Sequence, residues 1–463
     1  VVLWLQSQEK RWRLTPSRAA APAGPMHKEQ EMSPLGKTYV PYLFTAALFF
    51  IFSSIGLQET ASAARKRPRA DTSVASKPAG GSPPQPAGIQ DALRSDCKAA
   101  VLMDALTGKV LYEQDAAVRI PPASFVKILT LYVAFDALAG GQLKMDDMAT
   151  VSEKAWRTQG SKMFIEVGSR VRVEDLLKGI AVVSGNDACI ALAEHLAGSE
   201  DVFVAKMNEK ARRLGMKDSQ FRNCHGMPAD GQYVSALDMA ILSRRYMEDH
   251  PGALAIHSMV EYEYNGIKQG NRNTLLTKNI GVDGLKTGHI EESGYHLAAT
   301  AERDGRRMIA VIMGCDKVRK RAPEAQKLLE YGFRNFSTVE AVKKDALFGP
   351  VKVNWGKVDK VDLMATGDAR VTVPKGKEKS VVAAPQLPDS VNAPLEKGQV
   401  LGKVVVQDEG RPVTEIPLAA AMDVEKSLIP PWPILVPVAA GVCLIGFGVL
   451  WWVGRSGGKR YGK

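Results

Sequence analysis

The sequence predicts an α/β fold of the α+β kind: an antiparallel sheet flanked by helices, then a small all-β module, then one apolar helix near the C-terminus. Three observations predict it. Strand-like segments at 98–116 and 282–314 bracket a middle whose apolar residues recur every three to four positions. Residues 337–424 break into short alternating runs between Gly, Pro and Asp. Ile434 to Val453 are twenty consecutive uncharged residues, the length needed to cross about 30 Å of hydrocarbon.

Taken in order, residues 1–25 contain no Met and no periodicity, and read as a segment upstream of an initiator at Met26 or Met32. A signal peptide follows over 26–64: Lys28 and Lys37, the apolar YLFTAALFFIFSSIG, then ETASAA with small residues spaced for cleavage. Residues 65–94, rich in Pro, Ser, Ala and Gly, read as a disordered tether. The first domain spans 95–336. It opens with a hairpin in which KAAVLMDA and KVLYEQDA turn at Gly108. A helix opened by Pro121 and Pro122 runs through SFVKILTLYVAFDALAG. Helical patterns fill 173–250, and a second hairpin turns at Asp304-Gly305. PEAQKLLEYGFRNF reads as the closing helix, with Arg321 in the loop before it. The β-rich module 337–424 reads as a spacer, and 432–453 as a transmembrane helix with Trp432, Trp451 and Trp452 at its ends and a basic tail, 454–463.

The net charge of +11 does not mark a nucleic-acid binder. Residues 1–70 hold +6 and the last ten +4, which leaves +1 for residues 71–453. Basicity confined to the ends has a membrane explanation. Of five cysteines, Cys443 lies in the apolar tail; Cys97, Cys189, Cys224 and Cys315 allow three pairings if all bond. Isolated buried thiols are the expectation in a domain this large, and the spacing fits no zinc pattern, so neither metal nor cofactor is expected.

Ser124 and Lys127 stand three apart in PPASFVKILT, an otherwise apolar stretch, and so share a helix face. A snorkelling lysine beside a capping serine explains that pair alone. Two further stretches change the reading: Ser184-Gly185-Asn186, and Lys286-Thr287-Gly288. The order S-x-x-K, S-x-N, K-T-G, with about sixty and one hundred residues between motifs, is that of penicillin-recognising serine acyltransferases. Over roughly 95–420, PPASFVKILTLYVAFDAL, VSGNDACIALAEHLAGS, HGMPADGQY and GLKTGH with GYHLAATA resemble the D-alanyl-D-alanine carboxypeptidases, the low-molecular-mass penicillin-binding proteins.

That resemblance implies a β-lactamase/transpeptidase-like domain, with Ser124 as nucleophile, Lys127 as base and Ser184 as proton relay. It implies Asn186 on the substrate amide and Lys127, and Lys286 and Thr287 on the peptide carboxylate. Gly288 would let substrate backbone pack on the strand, and the N–H groups of Ser124 and His289 would form the oxyanion hole. Arg321 matches a further carboxylate-binding arginine. Lys127 must be neutral to act, which its apolar neighbours and repulsion from Lys286 would favour. The implied partners are a peptidoglycan stem peptide ending in D-Ala-D-Ala, β-lactams and the membrane, on the periplasmic face. A DD-endopeptidase, a class A β-lactamase and a non-catalytic wall-binding scaffold are the rival readings. The segment between Asn186 and Lys286 offers no clear E-x-x-L-N stretch for the β-lactamase.

Overall fold

The computed structural model describes residues 93–427 and 432–457. The expected upstream segment, the signal peptide and nearly all of the tether lie outside the described residues, as do the last six residues of the basic tail.

Strands β1 (Ala99–Asp104) and β2 (Val110–Gln114) form the first hairpin, with Gly108 at φ +73°. Strands β3 (Val282–Ile290), β4 (Gly294–Arg303) and β5 (Arg306–Cys315) supply the rest of an antiparallel sheet in the order β2-β1-β5-β4-β3. The β4–β5 turn needs left-handed backbone at both central residues, and Asp304 and Gly305 adopt it at φ +48° and +71°. β1 pairs in register with β5 from Ala99↔Met313 to Asp104↔Met308, so the chain's first strand is seated by one some two hundred residues later.

Both faces of the sheet are covered, which is why β1 reads as an unbroken apolar run. Val101, Met103, Val311 and Met313 face the helical core, while Leu102, Ala310 and Ile312 face Leu328, Leu329 and Phe333. Helix α1 (Val126–Ala139) lies in the first core and is apolar nearly all round, as a central helix must be. Around it stand α2 (Asn186–Ala197), α3 (Glu200–Arg213), α4 (Ala236–Asp249) and the one-turn α5 (Leu254–His257). Ser199 and Ser235 cap α3 and α4 through Val202 N and Asp238 N.

Helix α6 (Val318–Asn335) corrects one expectation. It begins five residues before Pro323, so Arg321 sits in its first turn and not in a loop. Proline marks helix starts because its missing N–H costs nothing there, and that rule placed the boundary too late.

The cysteines correct another. Cys97 and Cys315 form a disulfide that ties the entry of β1 to the end of β5, while Cys189 and Cys224 are free buried thiols and Cys443 is free and exposed. Spacing could not show that two cysteines 218 residues apart meet across adjacent strands. Closing so long a loop removes much entropy from the unfolded chain, so Cys97→Ser should cost about 2–5 kcal/mol in denaturant melts.

The β-rich module has a six-stranded sheet and a separate pair formed by Phe336–Val342 and Ala369–Pro374. Its core gathers Val351, Leu363, Val371, Val404 and Leu418. It docks on the β1–β2 turn through Asp104, which is fully buried and accepts from Thr338 Oγ1 at 2.8 Å and Thr372 Oγ1 at 2.9 Å. Helix α7 (Trp432–Gly457) is long and apolar enough over Val436–Val453 to cross a membrane.

Candidate active site

Ser124 lies in a tight turn, Ala123–Phe125, which feeds directly into α1. Lys127, one turn on, is fully buried, and its Nζ lies 3.1 Å from Ser124 Oγ. It also donates to Asn186 Oδ1 at 2.7 Å and to the His225 carbonyl at 2.5 Å. The Asn186 amide cannot be reversed without loss, because its Nδ2 donates to Gln159 O at 2.6 Å. An ammonium would donate to all three oxygens; a neutral amine keeps its two N–H bonds for Asn186 and His225 and offers its lone pair to the Ser124 hydroxyl.

Burial lowers the Lys127 pKa, and Arg272 pushes in the same direction. Burial was foreseen from the apolar neighbours. The second cation acting on Lys127 is Arg272, while the repulsion between Lys127 and Lys286 shows in the depression of Lys286.

Ser184 ends a π-helical stretch, Gly179–Val183, and holds left-handed backbone at φ +65°. That conformation is costly for a non-glycine residue. It aims the hydroxyl at Ser124, to which it donates at 3.1 Å. Gly185, not Ser184, occupies the N-cap of α2, and it makes no side-chain cap bond. The motif therefore is not serving as a serine cap.

Lys286 and Thr287 lie on β3, the outermost strand of the sheet, and both are buried. Among the described residues the Lys286 Nζ donates only to the Thr287 carbonyl, at 3.4 Å. Arg321 is buried, donates to the Arg272 carbonyl at 3.1 Å and has its guanidinium over the Tyr295 ring. Arg272 donates to Ser161 Oγ at 2.8 Å. Among the described residues no carboxylate lies within ion-pair distance of Lys286, Arg272 or Arg321. Burial, then repulsion from Lys127, Arg272 and Arg321, drives the Lys286 pKa well below its ordinary value. A small carboxylate entering here would relieve that repulsion.

His289 is exposed and stacks on Tyr295, with ring centroids 3.9 Å apart. A Cβ at Gly288 would meet Ala123 Cβ, His296 Cδ2 and the Pro122 carbonyl, each at 3.3 Å, so the strand packs closely on the serine turn there.

Several site residues carry no short-range sequence signal. Arg272 stands in an irregular loop, distant in sequence from every motif. Asp187 is buried beneath residues 163–165 and accepts from Met163 N at 2.9 Å and Phe164 N at 2.9 Å, fixing the loop that covers Asn186. Gly226 packs on the serine turn at φ +92°, and a Cβ there would lie 1.9 Å from the Ala123 carbonyl oxygen. Gly226→Ala must move that turn. We expect acylation to slow at least about 100-fold, with a stability loss of about 1–3 kcal/mol, as read by stopped-flow and thermal melts.

His296 bolts the same turn to the sheet. Its Nδ1 accepts from Gly314 N at 3.0 Å, and Nε2 lies 3.1 Å from the Pro121 carbonyl. Burial lowers its pKa to about 4, and does the same for His257. The unfolded chain takes up these protons near pH 6.5 and the folded chain does not. Stability is therefore complete above pH 6.5 and falls as pH drops toward 4, by about 3 kcal/mol for each ring. Melts between pH 7 and 4 should show it.

Comparison with known proteins identifies the family. The family model for D-alanyl-D-alanine carboxypeptidase (peptidase S11) matches residues 87–317, and that for the penicillin-binding protein 5 C-terminal domain matches 336–426. D-alanyl-D-alanine carboxypeptidase DacC of Escherichia coli K12 is 42% identical over 339 residues, 72% of this chain and 85% of the relative. DacF of Bacillus subtilis is 36% identical, over 72% of this chain and 87% of the relative. The crystal structure of penicillin-binding protein 5 from Haemophilus influenzae superposes with a TM-score of 0.67 at 39% identity, covering 75% of this chain and all of that one. The chain belongs to the D-alanyl-D-alanine carboxypeptidase family of serine peptidases.

Proposed function

We propose that Ser124 is the nucleophile of this carboxypeptidase and that its substrate is a peptidoglycan stem peptide ending in D-Ala-D-Ala. The observation that carries the reading is the Ser124 hydroxyl, 3.1 Å from both the Lys127 amine and the Ser184 hydroxyl, with Lys286 repelled by Lys127, Arg272 and Arg321 and no carboxylate pairing these groups among the described residues. Lys127 takes the Ser124 proton as Oγ attacks the penultimate D-alanine carbonyl. The N–H groups of Ser124 and His289 hold the resulting oxyanion. Ser184 passes the proton to the leaving nitrogen, and terminal D-alanine departs with its carboxylate between Lys286, Thr287, Arg272 and Arg321. Asn186 keeps Lys127 aimed and meets the substrate amide. Water then clears the acyl-enzyme. β-Lactams acylate the same oxygen, because they present a strained amide beside a carboxylate.

The setting is the outer face of a membrane, with α7 as the anchor. A structural disulfide fits an oxidising compartment, and the apolar C-terminal helix fits anchoring. Incubating the full-length chain with diacetyl-L-Lys-D-Ala-D-Ala should release free D-alanine. Intact peptide after long incubation would overturn the reading.

A further inference from the structure

β3 is the outermost strand, so one of its edges has no partner strand. Alternate carbonyls face that edge: those of Leu285, Thr287 and His289. The first is already taken. The His257 ring is fully buried, with Nδ1 3.0 Å from the Leu285 carbonyl and Nε2 3.2 Å from the Tyr246 hydroxyl. A carbonyl only accepts, so Nδ1 carries the hydrogen and Nε2 accepts from Tyr246. Tyr246 is itself fully buried on α4 and packs edge-on against His257. The pair therefore has one orientation and one tautomer.

His257 also reaches the other side of the cation cluster. Its main-chain carbonyl accepts from Asn271 Nδ2 at 3.3 Å, next to Arg272. Asn273 Nδ2 closes the circuit by donating to the Gly284 carbonyl at 3.1 Å. One residue thus touches both supports: the strand that carries Lys286 and the loop that carries Arg272. A peptide added along β3 can pair with Thr287 and His289 but not with Leu285, so its chain end stops opposite Lys286.

We infer that His257, oriented by Tyr246, is a positioning residue for recognition of the substrate carboxylate, holding Lys286 and Arg272 at the spacing that one carboxylate bridges. This rests on the carboxypeptidase reading above. Burial keeps the ring neutral, consistent with its two hydrogen bonds.

The test compares full-length wild type with His257→Leu, His257→Asn and Tyr246→Phe. Two substrates are used: diacetyl-L-Lys-D-Ala-D-Ala and its terminal carboxamide. Asn places an N–H where Nδ1 stood; Leu removes it. In His257→Leu, KM for the carboxylate substrate should rise at least about tenfold, with kcat changed less than about threefold. The carboxamide constants should hold within about twofold, so the carboxylate-to-carboxamide ratio of kcat/KM collapses. His257→Asn should restore that ratio to within about threefold of wild type, and Tyr246→Phe should lower it severalfold. If His257→Leu does not fold, as judged by its thermal melt, the Asn and Tyr246→Phe variants decide. Equal losses on both substrates in every folded variant, or an unchanged ratio, would overturn the inference and leave His257 a packing residue. A wild-type chain that cleaves the last peptide bond of neither substrate, releasing neither D-alanine nor D-alaninamide, overturns the carboxypeptidase reading, and this inference with it.

Discussion

Ser124→Ala should leave a folded protein that takes up no fluorescent penicillin and releases D-alanine at least about 10⁴-fold more slowly than wild type. The hydroxyl is small and half-buried, Lys127 keeps Asn186 and the His225 carbonyl without it, and the loss amounts to the acceptor of one Ser184 hydrogen bond. Losing it should shift the melting temperature little. Activity without stability loss is the signature of a reacting atom. Equal labelling of the alanine variant would move the nucleophile elsewhere.

The second large effect is at Lys127. General-base catalysis contributes about 10²–10⁴-fold, so Lys127→Ala should slow acylation by roughly that factor. Lys127→Arg separates base from charge. A guanidinium stays protonated at every usable pH, so the arginine variant keeps a cation and loses the lone pair. It should be as slow as the alanine variant. If instead the lysine served as a positive charge for the oxyanion, arginine would rescue activity and alanine would not. In wild type the active form is the deprotonated amine, so acylation should rise with pH through the lowered Lys127 pKa and level off below the ordinary lysine range near 10.4.

Much of this was legible in the sequence for physical reasons. Periodicity exposes a helix or a strand whenever one face is buried, and the two hairpins announced themselves through Gly108 and Asp304-Gly305, residues that tolerate left-handed backbone. The α+β class followed from strands bracketing helices. The three motifs are local, each within four residues, so their members could be named one by one, and the fold brings Ser124, Lys127, Ser184 and Asn186 within hydrogen-bond reach of one another, with Lys286 near enough to Lys127 for mutual repulsion.

What stayed hidden depends on contacts between distant segments. The Cys97–Cys315 disulfide needs the β1–β5 pairing before it can be seen. Arg272 joins the cations only because its loop folds beneath Ser161 and Arg321. The Arg321 helix was set too short because Pro323 imitates a start signal. The disulfide and the place of Arg272 are tertiary contacts, invisible to any window of a few residues, whereas the helix start was a local signal misplaced.

The central claim is that Lys127 is an uncharged amine in the resting enzyme. Nitrogen-15 NMR of lysine-labelled protein, with Lys127→Arg to assign the resonance, measures its titration directly. The account predicts a neutral-amine shift at the pH where acylation has levelled off, with a midpoint matching the rise in acylation rate. An ammonium that persists to pH 10 while acylation has already reached its plateau would contradict it.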